Sequence, residues 1–134
     1  MNVSQMPKKK KSILIVEDVQ MNFLLLKKII ERIAKFDCNI IRAENGKVAV
    51  DYCEKNNDLD LIFMDIEMPI MNGFEATLAI KKKFPYLPII VQTAYTSEEN
   101  KRKAIKAGSN DFITKPIRMD HIEEVLCRFI KVSA

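Results

Sequence analysis

Short apolar runs alternate with longer amphipathic segments along this chain, and this alternation narrows its possible folds more than any other feature. The short runs are Ile13–Val16, Leu59–Met64, Ile89–Val91, Phe112–Thr114 and, more weakly, Asn39–Ile41. Runs of this length and composition are typical of strands buried on both faces. The longer segments repeat apolar residues every three or four positions, which predicts helices with one buried face.

Polar residues mark where several of these helices begin and end. Asn45 and Asn72 each precede a glycine and a helical segment, as N-caps do, and Thr96 with Glu99 three residues later predicts a capping box. Gly108 follows a helical segment and predicts its end. The chain therefore alternates five strands with five helices.

Such an alternation predicts an α/β fold in which helices cover both faces of a parallel sheet. Right-handed crossovers leave few arrangements, of which the flavodoxin-like (βα)5 order 2-1-3-4-5 is the simplest. In these sheets ligands bind at the carboxyl ends of the strands, where the strand order reverses.

The composition fits one soluble domain preceded by a basic tail. The chain has 134 residues, 48% of them hydrophobic and 30% charged, with a net charge of +4. Part of that charge lies in Lys8–Lys11, so we assign residues 1–11 to a flexible tail or linker and residues 12–131 to the domain. No aromatic residues interleave with these lysines, so we expect neither nucleic-acid nor membrane binding.

The cysteines and the N-terminus predict a cytoplasmic protein. Three widely spaced cysteines form no CxxC pair, which favours free thiols in a reducing compartment. The sequence has neither a bilayer-length apolar stretch nor the apolar centre of a signal peptide.

Polar residues stand at the carboxyl ends of four predicted strands. They are Glu17 and Asp18, then Asp65, then Thr93, and finally Lys115. In the predicted strand order these ends are neighbours, so the side chains should converge. Clustered carboxylates repel one another unless a cation offsets them, and oxygen ligands without His or Cys suit Mg²⁺.

A metal, an ammonium and a hydroxyl around one carboxylate suit phosphoryl transfer, with Asp65 as the nucleophile. Each residue taken singly also has an ordinary structural explanation. Glu17 and Asp18 could favour a helix N-terminus, Thr93 could cap a turn, and Lys115 could be a solvated lysine.

The chain resembles the receiver domain of bacterial two-component response regulators. The resemblance covers Ser12 to Lys131 and depends on several motifs in the right order. These are Ile13–Asp18, Met64–Pro69, Met71–Ala76, Thr93–Ala94 and Phe112–Ile117.

The resemblance implies a role for each residue of the acidic site. Asp65 would be the phosphoacceptor, and Asp18 would bind Mg²⁺ directly while Glu17 helps through water. The backbone carbonyl of Glu67 would complete the protein's share of the metal ligands. Lys115 would contact both the phosphoryl group and Asp65.

Other positions would control switching and timing. Thr93 would bind a phosphoryl oxygen and Phe112 would turn inward as the switch aromatic. The bond from Lys115 to Pro116 should be cis. Glu67 and Tyr95 stand two residues after Asp65 and Thr93, where we expect them to set the lifetime of the phosphoaspartate.

The implied function is a phosphorelay switch, not an enzyme acting on a separate substrate. A sensor histidine kinase, a phosphotransfer domain or a small phosphodonor would phosphorylate Asp65. The event would alter the surface formed by the fourth helix, fifth strand and fifth helix. A stand-alone regulator and the receiver end of a hybrid histidine kinase both fit the sequence.

Three other functions fit the sequence less well. An Asp-based phosphohydrolase would place an acid where Glu67 lies, but so short a chain shows no cap domain. An interaction module without phosphorylation would not need the full acid, Thr and Lys set. Nucleotide binding lacks a glycine-rich phosphate loop, since the chain has only three glycines.

Overall fold

A computed structural model describes residues 10–94 and 97–131 of the chain. The strands are β1 (Lys11–Val16), β2 (Cys38–Ala43), β3 (Leu61–Asp65), β4 (Ile89–Thr93) and β5 (Asp111–Thr114). The helices are α1 (Gln20–Ile33), α2 (Gly46–Lys55), α3 (Gly73–Lys83), α4 (Glu98–Ala107) and α5 (Met119–Phe129).

The five strands form one parallel sheet in the order β2-β1-β3-β4-β5, which confirms the predicted fold. Every residue of β3 and β4 is buried, as their continuous apolar runs predict. Strand β2 lies at an edge and is only half-buried, which explains its weaker apolar signal.

Helices cover both faces of the sheet, so the core has two sides. On one side α1 and α5 pack on alternate strand residues such as Ile15, Phe63 and Ile90. On the other side α2 and α3 pack on residues such as Leu14 and Met64. Burial of each large aliphatic side chain stabilises the fold by about 1.5–3 kcal/mol.

The helix ends follow the sequence signals with one exception. The Asn45 side chain accepts a hydrogen bond from a backbone N–H of α2, and Asn72 forms a full capping box with Glu75. Gly108 ends α4 with φ +97°. The capping box with Thr96 as N-cap is wrong, because the N-cap of α4 is Ser97, whose hydroxyl accepts from the N–H of Asn100; Thr96 itself lies outside the described residues.

The strand order reverses between β1 and β3. The chain leaves β1 toward the β2 edge of the sheet and leaves β3 toward the β5 edge. The carboxyl ends of β1, β3, β4 and β5 therefore meet along one edge. Within residues 10–94 and 97–131, no helix is both long and apolar enough to cross a membrane.

Candidate functional site

Three carboxylates converge at the carboxyl edge of the sheet. Glu17 and Asp18 follow β1, and Asp65 is the last residue of β3. One oxygen from each of the three lies within 4.8 Å of the other two. Glu17 and Asp65 are buried, at 1% and 8% exposure, whereas Asp18 is exposed. The structure thus brings together the acids that the sequence places at strand ends.

Lys115 supplies the positive charge of this cluster. Its Nζ lies 3.1 Å from Oε1 of Glu17 and 3.5 Å from Oδ1 of Asp65, so it bridges the two buried acids and lies nearer to Glu17. The Lys115 backbone N–H donates to the carbonyl of Thr93 over 2.8 Å, which ties the loop after β5 to the end of β4. The peptide bond from Lys115 to Pro116 is cis, as expected.

One ammonium does not neutralise two buried acids. Burial, together with a hydrogen bond to Glu17 and the charge of Glu17, raises the pKa of Asp65 to about 7, against a smaller lowering by Lys115. The two carboxyl groups therefore titrate as a pair that shares a proton near neutral pH. A cation bound here would displace that proton and leave Asp65 ionised.

The neighbouring groups shift in directions that fit this arrangement. Burial alone would raise the pKa of Glu17, but contacts with Asp65 and Lys115 lower it. Burial, a hydrogen bond with Glu17 and the charge of Glu17 raise the pKa of Asp18. Burial alone would lower the pKa of Lys115, but Asp65 and Glu17 raise it, so Lys115 stays charged.

The donor set fits a hard divalent cation. Three carboxylates lie at one place, with no His or Cys among the residues that line it. Oxygen-only ligands in an open polar crevice suit an ion that keeps several of its waters, as Mg²⁺ does. The excess of negative charge over the single ammonium points to the same kind of ligand.

The site opens into a crevice of about 210 Å³. Six of the predicted site residues line it: Glu17, Asp18, Asp65, Glu67, Thr93 and Lys115. Val19, Asn22 and Ala94 also line it and were not predicted as site residues. Pockets for drug-sized ligands are commonly 300–1,000 Å³, so this one suits a small polar group. Tyr95 lies outside the described residues.

Backbone hydrogen bonds fix the segment that follows Asp65. The N–H of Ile66 donates to Gln92 and the N–H of Gly73 donates back to Ile66, over 3.2 and 2.8 Å. A Cβ on Gly73 would lie only 2.1 Å from the carbonyl oxygen of Asp65. Glycine is required there because the start of α3 presses against the backbone of the candidate phosphoacceptor.

Phe112 lies next to the site but faces another surface. Its ring is half-buried against Ile66, Val91 and Ala104, beneath α4. It also lines a groove of about 260 Å³ between α4 and β5 that Ile105 borders. The predicted switch aromatic therefore connects the loop after Asp65 with an exposed groove.

One contact to the acidic loop was not anticipated from the sequence. The side chain of Arg42 reaches from β2 to the backbone carbonyls of Glu17 and Asp18. The sequence signal for its proximity was its place near the carboxyl end of edge strand β2, beside the acidic end of β1, but that place does not specify the contact itself.

The chain belongs to the response regulator receiver domain family, whose profile matches residues 13–127. It therefore acts as the receiver domain of a two-component phosphorelay. This membership confirms the resemblance that the motifs indicate and disfavours the phosphohydrolase alternative.

Two relatives show the range of proteins in which this sequence type occurs. Chemotaxis protein CheY of Halobacterium salinarum is 42% identical over 120 residues, covering 87% of this chain and 97% of that protein. Hybrid signal transduction histidine kinase I of Dictyostelium discoideum is 37% identical over 131 residues, but the match spans 89% of this chain and only 7% of that protein.

Solved structures show the same fold. Response regulator TrrA from Thermotoga maritima, in complex with Mg²⁺ and BeF, has a TM-score of 0.79 and 29% identity, covering 90% of this chain and 99% of that one. The receiver domain of a sensor histidine kinase from Pseudomonas aeruginosa, with magnesium in its active-site cleft, has a TM-score of 0.80 and 26% identity, covering 90% and 98%.

Proposed function

We propose that Asp65 is the phosphoacceptor of this receiver domain and that Mg²⁺ binds at Glu17, Asp18 and Asp65. The observation that carries the proposal is the buried Asp65 carboxyl, which has an acid partner on one side and Lys115 at 3.5 Å on the other. A cation bound beside this carboxyl group would favour its ionised form, and the ionised carboxylate is the nucleophile.

The reaction forms an acyl phosphate. A carboxylate oxygen of Asp65 attacks the phosphorus of a phosphohistidine, the P–N bond breaks, and the imidazole leaves with the bond's electron pair. Bound Mg²⁺ supplies charge neutralisation at the phosphoryl oxygens. The charge of Lys115 would hold the attacking carboxylate in place. The hydroxyl of the buried Thr93, at the end of the neighbouring strand β4, would bind a phosphoryl oxygen.

An exposed apolar surface beside the crevice supports a protein phosphodonor. Val19 lines the crevice, and Met21 and Leu25 continue from it along α1 with exposures of 74% and 57%. Exposed apolar side chains grouped around a reactive site are typical of a docking surface. A sensor histidine kinase or phosphotransfer domain would bury them while presenting its histidine.

Phosphorylation would then shift a two-state surface. Thr93 and Lys115 are joined through the backbone, so movement of Thr93 toward a phosphoryl group is coupled to the loop after β5. Phe112 packs against Ile66, one residue after the phosphoacceptor. Inward rotation of its ring would reshape the α4-β5-α5 surface that binds a downstream partner.

Glu67 and Tyr95 would set how long the acyl phosphate lasts. The Glu67 side chain is exposed and borders the crevice, where it can restrict or direct the attacking water. We expect Glu67→Ala and Tyr95→Ala to change the dephosphorylation rate. Equal rates for both variants and the wild type would count against this role.

Intact-mass measurement tests the central proposal. With a small acyl phosphate and Mg²⁺, the wild type should gain the mass of one phosphoryl group, and Asp65→Asn should gain none. Asp58→Asn, which changes an exposed acid in the turn after α2, should be phosphorylated like the wild type. An unmodified wild type, or a modified Asp65→Asn, would refute the assignment.

A further inference from the structure

The side chain of Arg42 forms hydrogen bonds with the backbone of Glu17 and Asp18, two of the proposed metal-binding acids. Its Nε donates to the carbonyl of Glu17 over 3.1 Å, and its Nη2 donates to the carbonyl of Asp18 over 3.0 Å. The guanidinium carbon also lies 5.8 Å from the centre of the Phe23 ring on α1. Arg42 is thus held by an aromatic ring while its planar fork binds two consecutive carbonyl groups.

Among the residues that the structure describes, the other backbone restraints on this segment are weak. The N-cap of α1 is Val19, which provides no side-chain hydrogen bond to the helix. Its own N–H lies 3.5 Å from Oε2 of Glu17, at the limit of hydrogen bonding. The N–H of Glu17 donates to Ala43, but that bond precedes Asp18 in the chain. The fork of Arg42 therefore fixes the two peptide groups from which the acidic side chains project.

We propose that Arg42 is a positioning residue that orients Asp18 toward the crevice before Mg²⁺ binds. The inference rests on the proposed metal site. Asp18 is exposed, so the direction of its carboxylate depends on how firmly the backbone beneath it is held and on its contact with Glu17. Groups that orient metal ligands without touching the metal commonly change its affinity by about 10- to 100-fold.

The sign of the effect separates orientation from charge. Arg42 is a cation close to a site for a dication, so its charge alone weakens Mg²⁺ binding. Removal of the charge should tighten binding if charge were its only influence. Weaker binding by a variant that still folds has the opposite sign to the charge effect and therefore indicates lost orientation.

The test measures Mg²⁺ affinity by calorimetric titration of the unphosphorylated full chain. Arg42→Lys keeps the charge and loses the fork, whereas Arg42→Met loses both; we expect Mg²⁺ to bind both variants about tenfold more weakly than the wild type. Arg128→Lys is the matched control, because Arg128 also stacks on a ring, that of Phe129, and should bind Mg²⁺ as the wild type does.

The outcomes distinguish this inference from the proposed function. Binding to Arg42→Lys within about twofold of the wild type would overturn the positioning role and leave the metal site intact. No Mg²⁺ binding to the wild type would overturn both. Urea unfolding of each variant identifies any that do not fold, and Arg42→Lys decides the question if Arg42→Met is unfolded.

Discussion

Replacing Asp65 by asparagine should stabilise the metal-free protein at alkaline pH, although it removes the proposed phosphoacceptor. Burial and Glu17 raise the pKa of Asp65 from 3.8 to about 7. A shift of this size destabilises the ionised form by about 4 kcal/mol relative to the unfolded chain. Asparagine keeps the shape without the charge, and its amide has its own cost of burial, so we expect a gain of about 2–4 kcal/mol at pH 8.

The pH dependence follows from the sign of the shift. Because the folded-state pKa of Asp65 is raised, its contribution to stability is complete below about pH 4 and is lost as the pH rises to about 7. Asp65→Asn lacks this loss. The difference in the free energy of unfolding should therefore be small at pH 4, grow up to pH 7 and remain constant above it.

Urea unfolding with and without Mg²⁺ measures this difference in the free energy of unfolding. Circular dichroism monitors the unfolding, because the chain has no tryptophan. Mg²⁺ should stabilise the wild type more than Asp65→Asn, and so narrow the gap at pH 8. Asp58→Asn, in an exposed turn, should match the wild type within about 0.5 kcal/mol at each pH. An Asp65→Asn variant no more stable than the wild type at pH 8 without Mg²⁺ would refute the reasoning.

Four further variants test the scaffold and the charge around the site. Gly73→Ala should lower the free energy of unfolding by about 1–3 kcal/mol and slow phosphorylation, because its Cβ would meet the backbone of Asp65. Gly108→Ala, at φ +97°, should lower the free energy of unfolding by about 1–2 kcal/mol and leave the phosphorylation rate unchanged. Asn72→Ala should lose about 1 kcal/mol in urea unfolding because it removes the capping box of α3. Lys115→Met should raise the pKa of Asp65 above about 7, measured by carboxyl NMR titration without metal, because the Lys115 charge lowers it; an unchanged pKa would contradict that electrostatic role.

The sequence determined the fold and the acidic site because both depend on local patterns. Strands β3 and β4 are buried on both faces and are therefore apolar throughout, and parallel strands bring their carboxyl ends together whatever the side chains are. Glu17, Asp65 and Lys115 could thus be placed together from their positions in the chain.

The sequence did not predict where individual side chains point or which of two neighbouring residues makes a given contact. Thr96 and Ser97 are adjacent and are both good N-cap residue types, so the sequence did not decide between them, and in the structure the N-cap of α4 is Ser97. Arg42 reaches the acidic loop through two long-range hydrogen bonds, which no local pattern encodes. Lys115 lies closer to Glu17 than to Asp65, and the order of the strand ends does not predict how one lysine divides between two neighbouring acids.

The clamped segment after Asp65 has a consequence for how such domains diversify. Ile66 and Gly73 are fixed by backbone hydrogen bonds, whereas the Glu67 side chain between them projects into solvent at the mouth of the crevice. Exchanging an exposed side chain on a rigid segment changes folding free energy by only about 0.5 kcal/mol. With the role proposed here for Glu67, natural selection could retune the duration of the signal at this position, from brief to long-lived, without having to rebuild the domain around it.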